Sequence, residues 1–342
     1  MHGGRVTIER FESAVLKGNR AGDPHVRRVP VYLPPSYDAA PERRYPVLFA
    51  LSGFTGRGRM FLNDNPWAPS FDDRLDALIG AGRCGEMIVV MPDCFTRYGG
   101  SQYLDSTATG PYATHVVSEL VPWVDRTFRT LPDRAHRGVA GKSSGGYGAL
   151  VLGMRHADVF GAVACHSGDM DFDWCYRGDL PKFLSEVRRA GGVGPWLEAF
   201  EAKLHKKHED FTVLNILGMA ACYSPNPDVP PFGIDLPVDL EACAFRPDVW
   251  ERWLDLDPLR LVERHADALR SLRLLHLDCG TRDEWHLHLG LRRFVRRLAA
   301  LGVAHDHEEF DDGHMNVGYR WDVSLPKLAR ALGAAPAPGA PR

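Results

Sequence analysis

The chain has 342 residues, 44% of them hydrophobic and 25% charged, with a formal net charge of −3. That composition suits a globular α/β protein that can build its own core without metal or disulfide staples. The charge balance leaves no footprint for nucleic acid or an anionic membrane, and no run approaches the roughly 18 apolar residues of a membrane-spanning helix. The first residues, Met1–Arg5, run straight into an alternating segment instead of a signal-peptide core. Seven cysteines without a CxxC pair, several in apolar runs, read as buried reduced thiols, so a cytoplasmic protein is expected.

In chain order, Arg5–Ser13 and Val26–Leu33 alternate apolar and polar residues around a turn region, the pattern of an antiparallel pair at a sheet edge. Short apolar runs follow at Val47–Leu51, Met87–Met91, Gly138–Ala140, Ala162–Cys165 and Leu272–Leu277, as expected of buried parallel strands. Between them lie helical spacings at Val116–Phe128, Gly145–Met154 and Leu287–Leu301. Strands alternating with helices predict a mostly parallel central sheet flanked by helices. The alternation lapses over residues 170–262, where helix-like pieces at Phe183–Val187 and Trp196–Leu204 precede a proline-rich stretch. The predicted organisation is a hydrolase core in two parts, 1–169 and 263–332, an inserted cap at 170–262, and a disordered tail at 333–342. Arg292, Arg293, Arg296 and Arg297 read as a solvated helix face.

The strongest local signal is G-x-S-x-G at Gly141, Ser143 and Gly145, preceded by an apolar strand and followed by a helical pattern. That strand–turn–helix setting is what a nucleophile elbow requires, because the serine occupies a strained turn that tolerates only small neighbours. Gly141-Lys142-Ser143 also resembles the end of a P-loop, but the required glycine at position 136 is His136. A serine nucleophile needs a base, and the base needs an acid, in the chain order Ser, Asp, His for this fold. Asp283 lies in the loop after strand Leu272–Leu277, and His314 follows the turn after His307–Phe310. The oxyanion donors are the backbone N–H groups of Ser144, after the nucleophile, and Phe54, in the loop Ser52–Gly56. His286 and His288 stand two residues apart at a helix start and so diverge; no metal and no cofactor are expected.

The chain resembles the Putative esterase family of α/β-hydrolases, which includes esterase D (S-formylglutathione hydrolase), feruloyl esterases, enterochelin esterases and mycolyltransferases. The resemblance runs from Val31 to Leu332 apart from the cap, and includes Val89–Asp93, Tyr103–Ser106, Glu119–Val124, the elbow ending Gly-Gly-Tyr-Gly-Ala-Leu, Gly280–Glu284 and Asp312–His314. It implies the α/β-hydrolase fold, with Ser143 as nucleophile, Asp283 as acid and His314 as base. Two positions depart from the family pattern: Ser52 stands where His is common, and Ser144 where a hydrophobe is usual.

The function expected is hydrolysis of a carboxylic ester through an acyl-enzyme on Ser143. An acyltransferase using the same triad, or a non-catalytic binding protein on the same fold, are the alternatives. The partner expected is a small-molecule ester, without nucleic acid or membrane; the sequence leaves room for a homo-oligomer. Phe172, Trp174 and Tyr176, just after the strand-end segment Cys165–Gly168, are expected to wall the substrate pocket.

Overall fold

The structure, a computed structural model, describes residues 3–337. Eight strands form one sheet: β1 (Arg5–Glu12), β2 (Val26–Leu33), β3 (Val47–Leu51), β4 (Ile88–Val90), β5 (Arg137–Lys142), β6 (Ala162–His166), β7 (Leu274–Gly280) and β8 (Asp306–Phe310). Their spatial order is β1-β2-β4-β3-β5-β6-β7-β8. β1 and β2 pair antiparallel along their whole lengths, from Arg5↔Leu33 to Glu12↔Val26, and β2 meets β4 antiparallel. From β4 to β8 every pairing is parallel. The fold is the α/β-hydrolase arrangement.

The two-residue period of a strand explains how the layers form. In β3, Val47, Phe49 and Leu51 enter one core and Leu48 and Ala50 the other. The smaller core is closed by the Phe71–Gly80 and Trp321–Ala331 helices, where Phe71 packs edge-on against Trp321 at 4.8 Å. The larger core takes the Ser144–Arg155 and Leu287–Ala300 helices and most of the residues inserted between β6 and β7.

That insertion is largely helical: Leu180–Arg189, Val193–Ala202, His208–Tyr223, Pro247–Leu254 and Pro258–Arg264. The His208–Tyr223 helix is buried along most of its length and shares the core of the sheet. Ser106 Oγ donates to its Ala221 carbonyl, and Gly218 presses against the Tyr98 carbonyl and the Phe54 ring. The four arginines of the Leu287–Ala300 helix include three that make ion pairs, Arg292 with Glu309, Arg293 with Asp171 and Arg297 with Glu263. Of the expected tail, Gly333–Ala337 packs on the body: Glu86 N–H donates to the Ala335 carbonyl and Ala337 is buried. The rest of 333–342 lies outside the described residues.

Six of the seven cysteines are buried, Cys243 is exposed, and all are free thiols. No helix among the described residues is long and apolar enough to cross a membrane.

Candidate active site

β5 ends at Lys142, and the Ser144–Arg155 helix starts two residues later. The chain makes this reversal at Ser143, with φ 59° and ψ −129°, a region that non-glycine residues rarely occupy. The flanking glycines are required by contact. A Cβ on Gly141 would stand 2.3 Å from the Gly145 carbonyl oxygen, and one on Gly145 would stand 2.2 Å from that of Leu51. The turn is fixed by hydrogen bonds from Ser143 N–H to the His166 carbonyl and from Tyr147 N–H to the Ser143 carbonyl, both 2.9 Å.

Asp283 and His314 come from the loops that follow β7 and β8, neighbouring parallel strands. The structure brings them together: His314 Nδ1 lies 2.7 Å from Asp283 Oδ2, and both side chains are buried. Because a carboxylate only accepts, the imidazole proton sits on Nδ1 and Nε2 carries the free lone pair. Asp283 is held on its other side by the N–H groups of Trp285 and Leu287. Burial works to raise the Asp283 carboxyl, but the hydrogen bond and charge of His314, with those two amides, hold it below its ordinary value. The His314 backbone N–H donates to Glu284 Oε2 at 2.7 Å, and the Trp285 ring stands edge-on to the imidazole at 4.7 Å.

Ser143 and His314 line one cavity of about 340 Å³, together with Gly53, Phe54 and Ser144. Among the described residues His314 is hydrogen-bonded to Asp283 and Glu284 and not to Ser143 Oγ. The Gly53–Phe54 loop abuts the nucleophile, such that a Cβ on Gly53 would stand 3.3 Å from Ser143 Cβ. Neither the Phe54 nor the Ser144 amide has a hydrogen-bond partner among the described residues. Ser144 begins its helix, where the first N–H groups have no intrahelical acceptor.

Of the three aromatics expected to wall the pocket, only Tyr176 does so. Phe172 is fully buried against Tyr147, Tyr176 and Tyr223, and Trp174 is 56% exposed away from the cavity. The short helix Phe172–Cys175 turns Trp174 away from Phe172 and Tyr176, which stay in contact at 4.9 Å, with Phe172 in the core and Tyr176 at the cavity wall. The lining also includes residues the sequence reading passed over: Lys142, Asp169, Asp179, His208, Asn215 and Trp285. Two carried a signal, since Lys142 sits inside the elbow and Asp169 follows a strand end. His208 and Asn215 come from the buried insertion helix, which lacks the amphipathic stripe that would have disclosed it. Burial pushes the Lys142 ammonium below its ordinary value, against the pull of Asp283, Asp169 and Glu284.

A second Ser-His-Asp constellation lies on the other face of the sheet. Ser324 Oγ is 2.9 Å from His166 Nε2, and His166 Nδ1 is 2.7 Å from Asp278 Oδ1. All three are buried, Arg320 Nε donates to Asp278 Oδ2 at 2.9 Å, and none lines the cavity. His166, His276 and Asp278 also gather potential metal donors, but the Arg320 guanidinium and the Lys327 ammonium already stand against them.

The sequence profile of the family described as Putative esterase matches residues 24–332. The chain belongs to this family. The esterase Rv1288 of Mycobacterium tuberculosis strain H37Rv is 33% identical over 91% of this chain, which spans 56% of that relative's length. The chain therefore covers about half of the curated relatives it matches. A solved ferulic acid esterase superposes with a TM-score of 0.63 at 22% identity, covering 97% of this chain and 100% of the other. The fluorophosphonate-binding serine hydrolase FphF of Staphylococcus aureus gives 0.60 at 15% identity, covering 97% and 99%. At these identities the two structures speak to the fold of this Putative esterase member.

Proposed function

We propose that this chain hydrolyses a small-molecule carboxylic ester through an acyl-enzyme on Ser143. One observation carries the reading: a strained serine at a strand–helix turn opens into the same cavity as an imidazole whose far nitrogen is pinned to a buried carboxylate. Membership of an esterase family and the name of the mycobacterial relative support the same chemistry.

In the first half-reaction His314 Nε2 takes the Ser143 proton as Oγ bonds to the ester carbonyl carbon. The carbonyl oxygen gains negative charge beside the Phe54 and Ser144 amides, neither of which has a hydrogen-bond partner among the described residues. Asp283 holds the imidazole and stabilises its cationic form. His314 then returns the proton to the departing alcohol as the carbon–oxygen bond breaks. Water repeats the cycle on the acyl-enzyme and releases the acid and Ser143. The free, buried thiols fit a reducing compartment, and the reading extends to cytoplasmic hydrolysis.

The test is steady-state turnover of a p-nitrophenyl ester by Ser143→Ala and Ser144→Ala. Loss of the nucleophile should lower kcat by about 10⁶-fold, while Ser144→Ala keeps its backbone donor and retains turnover. Wild-type-like turnover by Ser143→Ala, or a loss confined to Ser144→Ala, would remove Ser143 from the role.

A further inference from the structure

Asp169 is only 6% exposed, yet it lines the cavity beside Ser143 and Ser144. Three donors converge on one of its oxygens. Ser144 Oγ lies 3.0 Å from Oδ2, Tyr176 OH 2.7 Å and Gln102 Nε2 3.0 Å. All three are neutral, and no cation stands within ion-pair distance among the described residues. The other oxygen, Oδ1, has no hydrogen-bond partner among them. Oδ1 is not among the fully enclosed unpartnered atoms and so keeps access to the cavity, and a group that shuts water out there must replace the hydrogen bonds that water supplies. Burial indeed raises the Asp169 carboxyl, and the hydrogen bonds from Tyr176, Gln102 and Ser144 oppose it.

The arrangement has the form of an acceptor set in advance. Gln102 and Tyr176 are buried, and the third donor is the hydroxyl of Ser144, directly after the nucleophile. They fix the plane of the carboxylate and leave its second oxygen for the cavity. Asp179, Thr212 and Asn215 add polar groups to the lining of the same space, which also includes the apolar Trp285, Leu287 and Met315.

We propose that Asp169 is a specificity-determining residue whose free oxygen accepts a hydrogen bond from an O–H or N–H that the substrate carries close to the scissile ester. This rests on the acyl-enzyme reading and adds the substrate class. The selectivity comes from the substrate that lacks the donor: it expels water from the cavity and leaves a buried carboxylate oxygen unpaired. The same logic explains why Ser144 replaces the usual hydrophobe, because a hydrophobe there would remove one of the three bonds that orient Asp169.

The experiment measures kcat/KM of the full chain on matched pairs that differ in one donor. The pairs are 2-hydroxyethyl against propyl butyrate, ethyl 3-hydroxybutyrate against ethyl 3-methylbutyrate, and 2-(dimethylamino)ethyl against 3-methylbutyl butyrate. The first two carry a neutral hydroxyl on the alcohol or acyl side, and the third an ammonium. The wild type should prefer the donor member of at least one pair by about 10- to 100-fold. Asp169→Asn offers an N–H where the carboxylate offers a lone pair, and should bring that ratio to about one or below. Tyr176→Phe removes only one of the bonds that orient the carboxylate, and should lower the same ratio in a folded protein. A wild-type ratio near one in every pair overturns the proposal. So does an Asp169→Asn variant that slows both members of a pair equally, which is the behaviour of a scaffold. Failure of the acyl-enzyme reading looks different, since Ser143→Ala would then still turn over these esters.

Discussion

At the scale of single residues, two Ser-His-Asp constellations in one chain separate hydrogen-bond geometry from chemistry. Ser324, His166 and Asp278 are bonded more completely than Ser143, His314 and Asp283, yet they are sealed between the sheet and the Trp321–Ala331 helix. Their work is cohesion. Burial works to raise the Asp278 carboxyl, but the charges and hydrogen bonds of His166 and His276, with Arg320, hold it well below its ordinary value. A depressed folded value means that the contribution is fully present above the unfolded carboxylate's range, near pH 4, and is lost as pH falls through the folded value. Asp278→Asn should therefore cost about 1–3 kcal/mol at pH 7, because a buried charge-assisted hydrogen bond is lost while Arg320 keeps its second partner, Glu308. The deficit should narrow on going to pH 3, as read from denaturant midpoints at the two pH values. A deficit of the same size at both would show that ionisation of Asp278 does not stabilise the fold. The sequence distinguished the two aspartates by position alone: Asp278 falls inside a strand and Asp283 in the loop beyond it. It could not announce that Asp278 had its own serine and histidine, since these lie 46 and more residues away in other elements.

At the scale of elements, the legible parts are those whose period is set by one buried face. β1 and β2 alternate, the central strands are short apolar runs, and the Ser144–Arg155 helix follows a glycine-flanked serine; each lies within a few residues of its expected place. The insertion was harder because its main helix, His208–Tyr223, is enclosed on most sides and so has no polar face to mark a helical period. The aromatic cluster after β6 shows the same limit. Phe172, Trp174 and Tyr176 look alike as a stripe in the sequence, but a single turn of helix sends them to core, solvent and cavity. Stability measurements separate them. Phe172→Ala should lower the unfolding free energy by about 3–5 kcal/mol, as for other buried aromatics. Trp174→Ala should change it by no more than about 0.5 kcal/mol and should preserve the wild-type ranking of esters. A shift in ester ranking caused by Trp174→Ala would restore that residue to the substrate site.

At the scale of the whole molecule, the chemistry gathers at the carboxyl ends of parallel strands. The Ser143 turn leaves β5, Asp169 follows β6 and His314 follows β8, and all three line one cavity, while Asp283, after β7, stands behind His314. A parallel sheet points all its strand ends the same way, which is why distant positions in the sequence can meet there. The order of nucleophile, acid and base along the chain was legible for that reason, whereas the polar wall of the cavity depended on how the insertion packs. The most direct test of the central claim is to treat the full chain with a fluorophosphonate ester and map the adduct by peptide mass spectrometry. One phosphonylated residue, Ser143, is expected, with labelling abolished in Ser143→Ala. An adduct on Ser144 or any other residue, or no adduct in a protein that still hydrolyses esters, would contradict it.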